Sequence, residues 1–168
     1  MKFGTALWLS LVVFTLHNIE EYLTIQPFVT TEASHLPAFV ANMIKSYTSD
    51  VFLTMLIIIT FVGIATIFAG VRSKPHGTGM FISMCMVTGG LLINGIHHLG
   101  ASLILLSYTP GVYTSAILLI PYSLYLCRRA ILEDLILKKS LLWSAVVGII
   151  LMSPVILLSR LLATLIIS

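Results

Sequence analysis

His17, Glu20 and Glu21 fall at spacings of three and four residues in the run His17-Asn18-Ile19-Glu20-Glu21, near the end of the first apolar stretch. On a helix those spacings place one imidazole and two carboxylates on a single face. The chain has only six acidic residues, and two of them sit here, at or inside a membrane boundary. Ionisable groups in such positions are expensive, and are usually paired and turned toward a cavity. A second polar run, Asn94-Gly95-Ile96-His97-His98, interrupts the third apolar stretch with the same internal spacing.

One imidazole and two carboxylates facing further imidazoles and an amide make a ligand set suited to a divalent transition metal: zinc, iron or manganese. The sequence therefore nominates His17, Glu20, Glu21, Asn94 and His98 as metal ligands. Glu20 and Glu21 are the candidate catalytic groups, since a carboxylate left over from coordination would serve as general base toward an activated water. A di-iron centre fits less well, because such sites usually take four acids and two histidines. His97 and Arg160 are expected around the ligands or against substrate, where Arg160 would balance a glutamate or hold an anionic group. No organic cofactor is expected. The blander reading is that each cluster caps the outer end of its helix, with Arg160 snorkelling to headgroups.

The elements that must carry these residues follow from composition. The chain of 168 residues is 58% hydrophobic and 9% charged, with a mean hydropathy of +1.08. A soluble domain of this size does not hide so much apolar surface, so the expected fold class is an all-α integral membrane protein in one domain. Five stretches reach the roughly 20 residues a crossing needs. They are Phe3–Leu23, Val51–Val71, Met80–Leu106, Val112–Ile131 and Leu141–Ile166. Pro27, Pro37 and a polar run separate the first pair, Arg72 to Gly77 the second, and Pro110-Gly111 makes a tight turn after the third. Pro121 and Pro154 are expected to kink the last two spans.

Seven basic residues (Lys2, Arg72, Lys74, Arg128, Arg129, Lys138, Lys139) fall on one side of this arrangement and two (Lys45, Arg160) on the other. That bias predicts the N-terminus inside and the C-terminus outside. It also accounts for the net charge of +3 without a nucleic-acid partner. With about 1.5 Å of rise per residue, His17 lies ~21 Å into the first span, Asn94 ~21 Å and His98 ~27 Å into the third. The two polar clusters are thus expected at one depth, in the outer part of the membrane. Tyr47, Tyr108 and Tyr113 would line the outer interface. Gly89-Gly90, Gly95 and Gly100 would let a neighbouring helix come close to the third span. Cys85 and Cys127 read as small core residues rather than a disulfide pair. The first span resembles a signal peptide, but offers no small-x-small cleavage site and is expected to be retained.

At these residues the sequence resembles the bacterial membrane protein family named for its HXXEE motif. The motif reads His17-Asn18-Ile19-Glu20-Glu21, and a second family element, Asn-x-x-x-His, matches Asn94 to His98. The stretch Tyr108-Thr109-Pro110-Gly111-Val112-Tyr113-Thr114, followed by Pro121, is also similar to the family's later portion. The resemblance covers roughly residues 8–130 and leaves the last span outside. It implies a protein of uncharacterised function, placed in the bacterial cytoplasmic membrane, whose polar motifs suggest an enzyme. The family pattern also includes an arginine, for which Arg128, Arg129 and Arg160 remain open.

The reading that best joins these features is a membrane-embedded, metal-dependent hydrolase or transferase, working near the outer leaflet on an apolar or lipid-like substrate drawn from the bilayer. A small transporter or ion-binding protein would use the same Glu and His residues in a proton or cation path. A single five-helix chain lacks the internal repeat common in transporters, which homo-oligomerisation would have to supply. A structural or immunity-type subunit, in which the polar residues only pair helices, is the third class.

Overall fold

Long uninterrupted apolar runs leave the backbone of this chain little alternative to helix, the structure that satisfies its own polar groups within one segment. The structure, a computed structural model, describes residues 1–32, 36, 38–45 and 48–167, with backbone alone at 39, 40, 43 and 45. Its helices are α1 (Phe3–Glu32), α2 (Ala38–Lys45), α3 (Ser49–Val71), α4 (Thr78–Leu105), α5 (Val112–Leu132) and α6 (Lys138–Ile167). No strand occurs among the described residues. All but the short α2 are long and apolar enough to cross a membrane. Their outward faces carry large apolar side chains such as Phe61, Leu103, Ile117, Leu142 and Leu165, each more than half exposed. An apolar surface this extensive has the character of a lipid-facing one.

The first span differs from the sequence expectation. Pro27 does not end it: α1 continues about three turns past Glu21. Proline removes one backbone donor and crowds the preceding turn. Here the turn is carried by hydroxyls, with Thr30 and Thr31 donating to the Pro27 carbonyl at 2.7 and 3.1 Å. Thr24 donates to the Glu20 carbonyl at 2.6 Å one turn earlier. The acidic pair therefore stands within a helix instead of fraying at its end. Pro37 and Tyr47 lie outside the described residues, as does the Lys45 side chain.

Two of the long helices contain wide, π-type turns, at Met86–Ile93 in α4 and Ser115–Leu119 in α5. Pro121 explains the second: it lacks an N–H for the Ile117 carbonyl four residues back, and a widened turn makes room for its ring. The first holds Gly89, where α4 meets Gly148 of α6 backbone to backbone. The last helix, expected to stand outside the family-like portion, is thus packed into the bundle. Gly95 faces Leu119 and Ile120 of α5, whereas Gly100 faces open space and Gly90 its own helix's Met86. Gly79, at the start of α4, also meets the Ala69 backbone of α3, so three of the five α4 glycines serve close approach to a neighbour.

The core runs along the bundle in layers. Phe3, Leu7, Ile67, Met84, Val87 and Leu126 join α1, α3, α4 and α5 at one end. Phe14, Leu91 and Leu119 occupy the middle. Ile25, Phe52, Met55, Leu56 and Ala163 tie α1 and α3 to α6 toward the other end. Cys85 and Cys127 are free thiols. Arg129 closes the first end, pairing with Glu133 and donating to the Met1 carbonyl at 3.0 Å.

Candidate metal centre

Three helices and one loop converge where α1 carries its histidine. The widened turn of α4 ends at Ile93, so Asn94 and His98 follow directly on a regular helix and face α1. The Asn94 amide lies 3.2 Å from His17 Nε2. His98 Nε2 stands 3.2 Å from Glu21 Oε1, and His17 Nε2 stands 3.8 Å from the same oxygen. The two imidazoles meet edge to face with centroids 4.8 Å apart. One ligand atom each from His17, Glu21 and His98 lies within 4.8 Å of the other two. The His17 side chain is fully buried, while Glu21 and His98 are 17% and 13% exposed. The cluster is therefore sealed on the α5 side and reachable past Glu21 and His98.

Glu20 is placed differently from its neighbour. Its Oε1 accepts from the Tyr108 hydroxyl at 2.8 Å and the Tyr113 N–H at 3.1 Å. Its Oε2 accepts from the Thr114 N–H at 2.7 Å and the Thr114 hydroxyl at 2.5 Å. Two of those donors are backbone groups in the first turn of α5, where helices present unsatisfied N–H groups and favour negative charge. The carboxylate expected to bind metal or act as base is thus occupied in holding α5 against α1. Its hydrogen-bonding capacity is filled by this role.

The loop between α4 and α5 is pinned over the cluster. Thr109 donates to the His98 carbonyl at 3.2 Å, and the Ser102 hydroxyl to the Ser107 carbonyl at 2.6 Å. Gly111 then turns the chain with φ +80, and a Cβ there would stand 2.6 Å from His17 Cε1 and 3.0 Å from Glu21 Cγ. Tyr108, in this loop, has its phenol pushed up to about 12, by burial first, with the Glu20 hydrogen bond and charge adding and Thr24 opposing. It remains a donor to Glu20 at all ordinary pH values.

The remaining nominated residues fall at increasing distance. His97 is exposed beside the cluster, its ring edge-on to His98 with centroids 5.7 Å apart. Arg160 lies half-buried on α6, one turn before Ala163. Arg128 and Arg129 are at the opposite end of α5, ~22 Å from Thr114 by helical rise. They therefore do not reach the cluster. An apolar groove of about 240 Å³ between α1 and α3, lined by Asn18, Ile19, Tyr22, Leu56 and Thr60, is separate again. Its α1 residues are turned roughly 100° or more around the helix from His17.

Sequence reasoning did not single out Thr114 and Gly111 as site residues, and it read Tyr108 and Tyr113 as interfacial aromatics. The available signal was the stretch Tyr108 to Thr114, which carried part of the family resemblance; nothing in its composition said that it docks on a glutamate.

Comparison with known proteins returns to the same residues. A family model described as a protein of unknown function with HXXEE motif matches residues 8–126, from the first turns of α1 into α5. The chain is 31% identical over 148 residues to the uncharacterised protein YrkK of Bacillus subtilis (strain 168), covering 87% of this chain and 88% of that one. No solved structure matches.

Proposed function

The chain belongs to the HXXEE-motif family, whose function is unknown, and from the cluster this motif builds we propose a membrane-embedded, metal-dependent enzyme of the hydrolase or transferase type. The observation that carries the reading is the approach of His17, Glu21 and His98, with three ligand atoms mutually within 4.8 Å. Two imidazoles and one carboxylate are a donor set that catalytic zinc sites use, leaving a further position for water or substrate. Asn94 stands beside His17 as a fourth polar group that can orient or supplement the set. With Glu20 committed to α5, His97 is the titratable group beside the ligands and open to the surroundings, suited to moving a proton.

The placement of the basic residues supports an orientation with the N-terminus in the cytoplasm and the cluster toward the outer leaflet of the bacterial cytoplasmic membrane. The exposed edge at Glu21 and His98 then opens at membrane depth, which favours an apolar or lipid-like substrate. Within such a site a metal would act as a Lewis acid on a carbonyl or phosphoryl oxygen.

Elemental analysis of the detergent-purified protein tests the reading. Wild type is expected to hold one zinc, iron or manganese per chain. His17→Ala, Glu21→Gln and His98→Ala are each expected to lose it while remaining folded by circular dichroism. A wild-type preparation that binds no such metal, even after supplementation, removes the proposal.

A further inference from the structure

We infer that Glu20, acting through the Thr114 hydroxyl, locks His17 in the tautomer that carries its proton on Nδ1 and turns a bare Nε2 toward Glu21 and His98. A threonine hydroxyl has one proton to give and two lone pairs to offer. Besides His17 Nδ1 at 2.9 Å, which could accept only in the opposite tautomer, two acceptors compete for the Thr114 proton: Glu20 Oε2 at 2.5 Å and the Gly111 carbonyl at 3.3 Å. The shorter bond, to a carboxylate, is the stronger by both distance and charge. With its proton committed there, Thr114 Oγ1 can only accept, and the group it faces is His17 Nδ1 at 2.9 Å. Nδ1 must therefore be the N–H of the neutral ring. The other nitrogen, Nε2, keeps its lone pair, which meets the Asn94 amide at 3.2 Å and lies 3.8 Å from Glu21.

The opposite tautomer is disfavoured at both edges of the ring. It would set the Nδ1 lone pair against a hydroxyl oxygen whose proton points away, and an Nε2–H against the N–H of Asn94; the Glu21 carboxylate that would attract this Nε2–H stands at 3.8 Å, beyond hydrogen-bond reach. The ring has little room to rotate, because it is fully buried and the Gly111 backbone approaches so closely that a Cβ there would stand 2.6 Å from Cε1. A free histidine side chain in water prefers its proton on Nε2, so the protein imposes this choice. The consequence rests on the metal-centre reading. Metal-binding histidines usually donate their second ring N–H to a fixed partner, which sets the ligating nitrogen and raises its basicity. Here that partner is a hydroxyl backed by a carboxylate. Glu20 and Thr114 are positioning residues, which explains why two adjacent glutamates are present although the cluster uses one.

The test reads the tautomer directly, without metal. Protein isotopically labelled at the histidine ring nitrogens, purified in detergent and stripped with chelator, is examined at neutral pH by NMR, where protonated and bare ring nitrogens have well-separated shifts. Wild type and Thr114→Ser are expected to show His17 with Nδ1–H alone. Thr114→Val removes the acceptor, and is expected to shift the ring toward Nε2–H. Zinc affinity is then expected to fall about 10–100-fold in Thr114→Val and stay near wild type in Thr114→Ser. A wild-type His17 that carries its proton on Nε2 overturns the inference, and so does a Thr114→Val variant with unchanged tautomer. If Thr114→Val does not fold, the wild-type spectrum alone decides. A correct tautomer in a protein that binds no zinc upholds the Thr114 lock while removing the metal-centre reading.

Discussion

Adjacent glutamates on a helix point about 100° apart, and that angle is enough to give Glu20 and Glu21 different partners. Glu20 meets the first turn of α5 and the Tyr108 hydroxyl, while Glu21 meets His98 and His17. Residue type and spacing alone treated the two as equivalent, because the element that separates them lies more than ninety residues away in sequence. Gly111 is where both halves of the site touch. Its φ of +80 belongs to the left-handed region, which costs an L-residue with a Cβ roughly 1–2 kcal/mol. The added carbon would also press on His17 and Glu21 at once, against backbone held by Pro110 and by the α5 docking. Gly111→Ala is expected to lower the thermal unfolding midpoint in detergent and to reduce bound metal in the fraction that remains folded. Wild-type metal content together with a wild-type midpoint would show that the loop does not bear on the cluster.

At the scale of the elements, α4 is held against α6 by a backbone contact and aimed by the widened turn around it. Gly89 and Gly148 pack so tightly that a Cβ on Gly89 would lie 2.6 Å from the Gly148 Cα. Backbone cannot yield as a side chain does, so α4 and α6 would have to separate. Forcing extra volume into a packed interface typically costs about 1–3 kcal/mol. The widened turn from Met86 to Ile93 contains this contact and ends next to Asn94, so a shift there is transmitted to the amide and imidazole that face α1. Gly89→Ala is therefore expected to destabilise the protein by about that amount and to weaken metal retention. Gly100→Ala on the same helix meets nothing within 4 Å and serves as the comparison, with stability at or slightly above wild type, since alanine is the better helix former. Equal midpoints for the two variants would contradict the close approach. Sequence reading grouped these glycines together, because a small residue declares that a neighbour can come near and not which neighbour does.

For the whole molecule, the long apolar helices were legible because lipid-compatible segments repeat one simple pattern, and the boundaries Val71 and Val112 were read to the residue. The end of α1 was not, since proline signals a helix stop in water but not where threonine hydroxyls sustain the next turn. The pairing of α1 with α4 followed from matched depth. The docking of α5 did not, because two of the four donors to Glu20 are backbone groups that every sequence has. What the fold itself adds is that Met1, Arg129, Glu133 and the His76–Asp134 contact share one end of the bundle, away from Thr114. The N-terminus and the turns after α3 and α5 then lie on one side, and the basic residues concentrated there predict which side that is. Helix α5 gives the sharpest test, as its two ends carry exposed side chains: Tyr113 is 65% exposed and Leu132 71%. In a background with Cys85 and Cys127 replaced by alanine, Tyr113→Cys is expected to react with a membrane-impermeant maleimide on intact cells. Leu132→Cys should react only after the cells are opened. The reverse pattern would invert the orientation and place the cluster toward the cytoplasm. Labelling of both in intact cells would mean that α5 does not cross at all, and with it would go the case for a substrate entering from the bilayer.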